Sequence, residues 1–349
     1  MNKKYLGIGV IVFILVGDLF FLFQKQQRTP PLTIMPTDQT TTDPTNNNPL
    51  SIAVMKKKSY PGSNLIIEQT LSPGSNYQQY IASYLSDGLK IYGLLTVPTG
   101  ENPPAGGWPV IIFNHGYIPP EQYRTTERYV AYVDAFARAG YIVFKPDYRG
   151  NGSSEGQPEG AYYSPAYATD VLNALATLKR YKDANPEKIG MWGHSLGGNI
   201  TLRDIVVDTT DIKAAVIWGG VVGSYDDLMN NWQRRVRYQP PPKELALRNN
   251  YRQRLVDTYG TPTTNPQFWN SIDPTNYLSG ITTPIQLHTG ANDEEVPVAF
   301  SVSLKEKLEK LGKAVEYYTY PGGDHNISSP NFESAMQRSI VFFNKYLKS

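Results

Sequence analysis

The chain has no cysteine and only four histidines, and both shortages narrow its chemistry. Without cysteine there is no thiolate nucleophile, no disulfide frame and no cysteine-ligated metal. The same absence fits an exported protein and a cytosolic one equally well. Four histidines leave a short list of candidates for a general base near neutral pH. A charge excess of one sign is missing too: 33 Lys and Arg stand against 31 Asp and Glu. A formal net charge of +2 gives no ground for nucleic acid as a partner. What is present is globular in proportion, with 40% apolar and 18% charged residues in 349 positions. That is enough chain for one large domain, or two smaller ones, with a substantial core.

Long apolar runs are scarce, with one exception at the start. Residues 6–23, "LGIGVIVFILVGDLFFLF", follow Lys3 and Lys4 and are interrupted only by Asp18. As a helix this run extends roughly 27 Å, close to a hydrocarbon core. It is longer than the apolar part of most signal peptides, and no small-x-small cleavage site follows it. Residues 1–28 are therefore expected to be an uncleaved signal-anchor, a single transmembrane helix that makes the membrane a partner. A cleaved signal peptide and a buried globular helix are the alternatives. Asp18 opposes insertion by about 2.5–3.5 kcal/mol at the bilayer centre and by less near an end. Lys25 and Arg28 nearly balance Lys3 and Lys4, so charge sets the orientation only weakly. The expected arrangement places the rest of the chain outside the cytoplasm, anchored or, after cleavage, secreted. Residues 29–64 begin rich in Thr, Pro and Asn and read as a linker.

From residue 65 the pattern changes. "LIIEQTL", "QQYIASYLS" and "LKIYGLLTVP" are short strands separated by turn signals, with a hairpin expected at Asp87-Gly88. Buried strands then alternate with helices: "PVIIFNHG", "YIVFKPDYRG", "KIGMWGHS", "IKAAVIWGG", "PIQLHTG" and "VEYYTY" are the strands. That alternation predicts an α/β fold with a mostly parallel sheet, helices on both faces and antiparallel strands at its beginning. The functional site is expected beyond the carboxyl ends of the strands. Between residues 224 and 281 the rhythm stops, and so long a stretch predicts a helical cap inserted into a domain of residues 65–349.

"GHSLG", Gly193 to Gly197, joins a predicted strand to a predicted helix. A serine in that turn is exposed to substrate, and the following N–H and the helix N-terminus face developing negative charge. A serine hydroxyl needs a base, an acid to orient that base, and oxyanion donors. Of the four histidines, His194 adjoins the serine and should point elsewhere. His115 ends a strand and shapes a loop, and His288 sits inside a strand as a satisfied core residue. His325, in the loop after the last strand, is the candidate base. "LHTGANDEEVP" places Asp293 first after its strand as the candidate acid, ahead of Glu294 and Glu295. Asp324 adjoins His325 and is poorly placed to orient its ring. The backbone N–H groups of Leu196 and Tyr117 are the candidate oxyanion donors. An ordinary strand-end turn, with the Tyr117 ring lining a pocket, is the other reading of "HGY".

The order Ser195, Asp293, His325, the glycine-flanked serine, the His-Gly loop and "DYRGNGSSEG" resemble the α/β-hydrolase fold. "YLSDGLKIYGLLTVP" and "HTGANDEEVP" are similar to the catalytic domain of the prolyl-oligopeptidase and acylaminoacyl-peptidase group. The resemblance spans roughly residues 65–349 and implies a serine hydrolase that forms an acyl-enzyme, with no metal and no organic cofactor. Peptidases of that group usually carry a large β-propeller, and the stretch before residue 65 is too short for one. Tyr117 also stands where the group commonly has a second glycine. Small esters and short peptides are thus both expected as substrates, of a carboxylesterase or a peptidase. An acyltransferase on the same site, and an anchored, non-catalytic binding protein with a hydrolase fold, are the alternatives. Arg234, Arg235, Arg237, Lys243, Arg248, Arg252 and Arg254 face only Glu244 in residues 230–254. They attract an anionic substrate or form a solvated helical face with ordinary ion pairs.

Overall fold

The computed structural model describes residues 47–349 apart from 101, 160 and 236–241. The expected anchor, residues 1–28, lies outside them, as does the first half of the expected linker. Among the described residues no helix is long and apolar enough to cross a membrane.

The described strands form one nine-stranded sheet in the order β1-β2-β3-β5-β4-β6-β7-β8-β9. β1 (Ile66–Thr70), β2 (Tyr77–Ser86) and β3 (Leu89–Pro98) run antiparallel, and β3 pairs antiparallel with β5 (Ile142–Pro146). The rest is parallel: β5 with β4 (Trp108–Asn114), then β6 (Ala184–His194), β7 (Ile212–Trp218), β8 (Ile285–Gly290) and β9 (Val315–Tyr320). The β2–β3 hairpin closes from Ser86 to Leu89 across Asp87 and Gly88, both at positive φ. That conformation twists with the strands, and the Asp-Gly pair is its sequence signal.

The central strands are buried on both faces because their side chains alternate between two cores. Val110 and Ile112 of β4 join one core, while Ile111 and Phe113 join the other. The first core holds α3 (Ala166–Leu178), α4 (Leu196–Val207) and α7 (Val298–Lys310). The second holds α2 (Val130–Arg138) and α8 (Phe332–Leu347). The architecture is α/β-hydrolase-like.

One boundary needs correcting. The linker does not run to residue 64, because α1 (Ile52–Lys57) buries Ile52 and Met55 in the first core. Ser51 caps this helix through Val54 N–H, and Arg180 holds the carbonyls of Pro61 and Ser63. Two apolar side chains one turn apart suffice to dock a short helix, and the polar run before it hides them.

The insertion at residues 224–281 contains helices: a π-helical turn at Asp227–Asn231, α5 (Pro242–Tyr259) and α6 (Pro266–Ile272). Tyr225, Phe268, Trp269 and Ile272 form a small core of its own.

Candidate active site

β6 ends at His194 and α4 begins at Leu196, so Ser195 alone makes the turn between strand and helix. Its backbone, at φ 56° and ψ −117°, is a conformation that L-residues rarely hold. The surroundings impose it. Ser195 N–H donates to Trp218 O on β7 at 3.0 Å, and Ser195 O accepts from Gly198 N and Val221 N at 3.0 Å each. A side chain at Gly193 would meet the Gly197 carbonyl and the Thr201 hydroxyl, and one at Gly197 would meet the Asn114 and His115 carbonyls. Glycine is therefore required on both sides of the serine. The Leu196 N–H opens α4, where no intrahelical acceptor exists for it.

The acid and base come from the next two strand ends. Asp293 follows β8 and His325 follows β9. His325 Nδ1–H donates to Asp293 Oδ2 at 2.8 Å, while Asp293 Oδ1 accepts from the Glu295 and Val296 N–H groups at 2.8 Å each. Asp293 is 2% and His325 7% exposed, so water competes little for this bond. Asp324 is occupied within its own loop by the Ser328 N–H and hydroxyl, at 2.8 and 2.9 Å. Asp293, not the sequence neighbour, orients the ring.

Ser195 approaches this pair through two neighbours. Gly219, beside Ser195 at the end of β7, has room for no side chain: a β-carbon there would lie 3.1 Å from His325 Nδ1 and 3.3 Å from Asp293 Oδ2. His194 bonds the His325 carbonyl, with ring centroids 4.6 Å apart. Among the described residues no hydrogen bond is made by Ser195 Oγ or by His325 Nε2. Gly116, after β4, sits so that a β-carbon would be 3.3 Å from Ser195 Cβ, which brings the Gly116–Tyr117 loop over the serine. Tyr117 is half-buried against the first core.

The other histidines are engaged elsewhere. His115 stacks between Tyr123 and Tyr148 and bonds the Gly116 carbonyl at 2.7 Å. Burial, then the Lys145 charge, pushes its pKa down to about 3. His288 is held by the Tyr320 hydroxyl and Gln286 Oε1, and burial keeps it well below its ordinary value. His194 is lowered to about 3 by burial and then by the charge of His325.

Sequence reasoning missed the cap's grip on the acid turn. Trp232 Nε1–H donates to Glu295 O at 2.8 Å, and Arg234 pairs with the Glu295 carboxylate at 2.8 Å. Arg235 N–H donates to Glu294 O at 2.9 Å, and its guanidinium to Asp293 O at 2.7 Å. Arg252 donates to Met229 O at 3.0 Å, and Arg254 stacks on Tyr251. Arg237 lies outside the described residues. These four arginines have partners, of which Arg234–Glu295 is the ion pair and the others are carbonyl or ring contacts. No spacing signal announces the Trp232, Arg234 and Arg235 contacts, because their partners lie about sixty positions away in the chain.

A strand–serine–helix turn and a buried carboxylate–imidazole pair, on strand ends of an α/β-hydrolase-like sheet, define a hydrolase of the peptidase/esterase class. The chain belongs to the prolyl oligopeptidase family, whose model matches residues 128–349. It is 26% identical over 254 residues to the uncharacterized peptidase YtmA of Bacillus subtilis (strain 168), covering 73% of this chain and 88% of that one. It spans only 34% and 40% of two further curated relatives. Among solved structures, the acylaminoacyl peptidase of Pyrococcus horikoshii superposes with TM-score 0.62 at 20% identity, covering 79% of this chain and 42% of that one. The acetyl xylan esterase of Paenibacillus sp. R4 superposes with TM-score 0.61 at 20% identity, covering 85% and 92%.

Proposed function

We propose that the protein is a serine hydrolase that opens an ester or peptide bond through an acyl-enzyme on Ser195. The observation that carries this reading is the buried His325–Asp293 bond at the rim where the strained Ser195 turn also stands. In this reading His325 Nε2 takes the Ser195 Oγ proton as the oxygen attacks the carbonyl carbon. The Leu196 and Tyr117 N–H groups bind the oxyanion, and Asp293 holds the imidazolium. The scissile C–O or C–N bond breaks, and the leaving group departs with the proton from His325. Water then gives a proton to His325, attacks the acyl carbon and releases Ser195.

YtmA is described as a peptidase, and the Paenibacillus neighbour as an esterase, so both substrate classes belong in the test. A fluorophosphonate probe should label the wild type and not Ser195→Ala, and Ser195→Ala should lower kcat by on the order of 10⁴–10⁶ with an unchanged melting temperature. Turnover retained in purified Ser195→Ala would end the reading. p-Nitrophenyl esters of rising chain length, set beside aminoacyl and prolyl anilides, would then rank the two classes. The apolar run at residues 6–23 further supports a tether to a membrane. Release of the full chain into the soluble fraction by alkaline carbonate would contradict the tether.

A further inference from the structure

Three contacts near the nucleophile form a chain that the acyl-enzyme reading does not use. Gly116 N–H donates to the Tyr129 hydroxyl oxygen at 2.9 Å. That hydroxyl lies 2.7 Å from His194 Nδ1, and His194 Nε2 lies 3.0 Å from the His325 carbonyl oxygen. A carbonyl only accepts, so Nε2 carries the hydrogen. Burial keeps the ring neutral, its pKa lowered to about 3, so Nδ1 is bare and accepts. Tyr129, its phenol pushed up by burial, keeps its proton and donates it to Nδ1. With a neutral ring, one direction of donation satisfies all three contacts: Gly116 N–H to Tyr129, Tyr129 O–H to His194, His194 Nε2–H to His325 O.

We infer that Tyr129 and His194 are positioning residues, a hydrogen-bond relay that couples the oxyanion loop to the base loop across the serine turn. The inference rests on the Ser195 reading above. One end of the relay grips Gly116, the residue before the proposed donor Tyr117. The other grips the main chain of His325, whose ring pairs with Asp293. The middle member is the residue before Ser195. The relay thereby sets the spacing between the group that takes the proton and the group that binds the oxyanion.

Two further observations favour this reading over a core histidine that is merely satisfied. Arg128 and Tyr129 are successive non-glycine residues at positive φ, 59° and 54°, at the start of α2. Such backbone persists where the surroundings over-determine it. One turn further on, Tyr132 donates its hydroxyl to Asn326 O at 2.8 Å. Two consecutive carbonyls of the base loop are thus held, one through His194 and one by the first turn of α2.

The test has a spectroscopic arm and a kinetic arm. In full-length protein carrying ¹⁵N-histidine, a long-range ¹H–¹⁵N spectrum at pH 7 should show His194 neutral and protonated at Nε2, assigned by loss of the signal in His194→Gln. An Nδ1–H tautomer or a doubly protonated ring overturns the relay, whatever the fate of any variant. Tyr129→Phe should lower kcat by about 10- to 100-fold with KM changed less than about threefold, because positioning is lost rather than substrate binding. His194→Leu should do the same, and His194→Gln, which keeps a donor near Nε2, should recover part of the loss. The double variant Tyr129→Phe/His194→Leu should be no slower than the worse single one, since one chain is broken once. Multiplying losses, or wild-type kcat in Tyr129→Phe, would overturn it. Failure of the wild type to take the fluorophosphonate probe would instead sink the Ser195 reading and leave the tautomer result standing.

Discussion

The rim over the sheet and the cap above it are held by different kinds of bond. At the rim, main-chain groups supply much of the fixing: Ser195 bonds through its own N–H and carbonyl, and the Asp293 carboxylate accepts from N–H groups of its own turn. The cap reaches the body largely through side-chain tips, among them Trp232, Arg234 and Arg235 on the acid turn. Main-chain bonds survive most substitutions, whereas a side-chain bond is lost with one. Chemistry can therefore stay constant at the rim while the cap varies, which suits a family whose fold hosts both peptidases and esterases.

The largest effect tests the rim. Asp293→Asn keeps an oxygen for the Glu295 and Val296 N–H groups but loses the carboxylate that receives the His325 Nδ1 proton. The expected outcome is a fall in kcat of about 10³–10⁴ with little change in melting temperature. Equal losses from Asp324→Asn would assign the orienting role to the wrong carboxylate.

Next comes the body beneath the rim, where Arg149 and Asp170 form a buried pair at 2.7 Å and Asp170 also accepts from Arg149 N–H at 2.9 Å. Asp170→Ala leaves the buried guanidinium with only the partly exposed Asp87, 3.1 Å away, as its carboxylate and should cost toward the lower end of about 3–5 kcal/mol in denaturant unfolding. The activity of the molecules still folded should be near normal. A selective loss of kcat without loss of stability would place this pair in the site.

The same contrast explains what was legible in the sequence. The sheet was, because strands such as Val110–Phe113 alternate between two cores and each helix between them repeats at three and four positions. The site residues were legible as types at strand ends: Ser195, Asp293 and His325 each stand just past a parallel strand. The contacts that join Tyr129 to His194, His194 to His325 and Arg235 to Asp293 were not, since partners 58 to 131 positions apart leave no local pattern. α1 was hidden for another reason. Six residues with two buried apolar side chains give too short a period to rise above a Pro- and Asn-rich background.

Acid should loosen the rim before the cap. His115 and His194, lowered to about 3, and His288, lowered well below its ordinary value, are neutral when folded and bind protons near their ordinary value when unfolded. Depressed folded-state values mean that their contribution is complete above about pH 6.5 and is lost as pH falls below it. Each histidine then adds about 1.4 kcal/mol of destabilisation per pH unit, until its folded value is reached. Buried Asp147, raised to about 6 by burial, works in the opposite sense between its unfolded value and 6. His288→Gln, which removes one such group, should therefore shallow the decline in unfolding free energy between pH 6 and 4.5. An unchanged slope in urea titrations at those two pH values would show that His288 is protonated while folded.

Arg235 comes next in size. Its guanidinium donates to the Asp293 carbonyl, a bond of charged to neutral group that contributes about 1.5–3 kcal/mol when intact. Part of that is recovered by water in Arg235→Ala, so kcat should fall about tenfold or less, with the Asp293–His325 bond retained. A loss as large as that of Asp293→Asn would mean that the cap builds the site rather than bracing it.

The smallest effect decides how the basic stretch is read. Arg234 and Glu295 pair at 2.8 Å with both side chains about a third exposed. Water screens such a pair, so Arg234→Ala should change unfolding free energy by about 0.2–1 kcal/mol. The more telling measurement is kinetic. If the cap steered anions, removing one arginine would release Glu295 as well and turn the local charge from near zero to negative. The rate on an anionic substrate would then drop relative to a neutral one with the same scissile bond, most at low salt. Because Glu295 already neutralises Arg234, kcat/KM should shift by less than about twofold for either substrate and show the same salt dependence. A salt-sensitive loss confined to the anionic substrate would restore electrostatic attraction to the cap and make its arginines part of substrate choice.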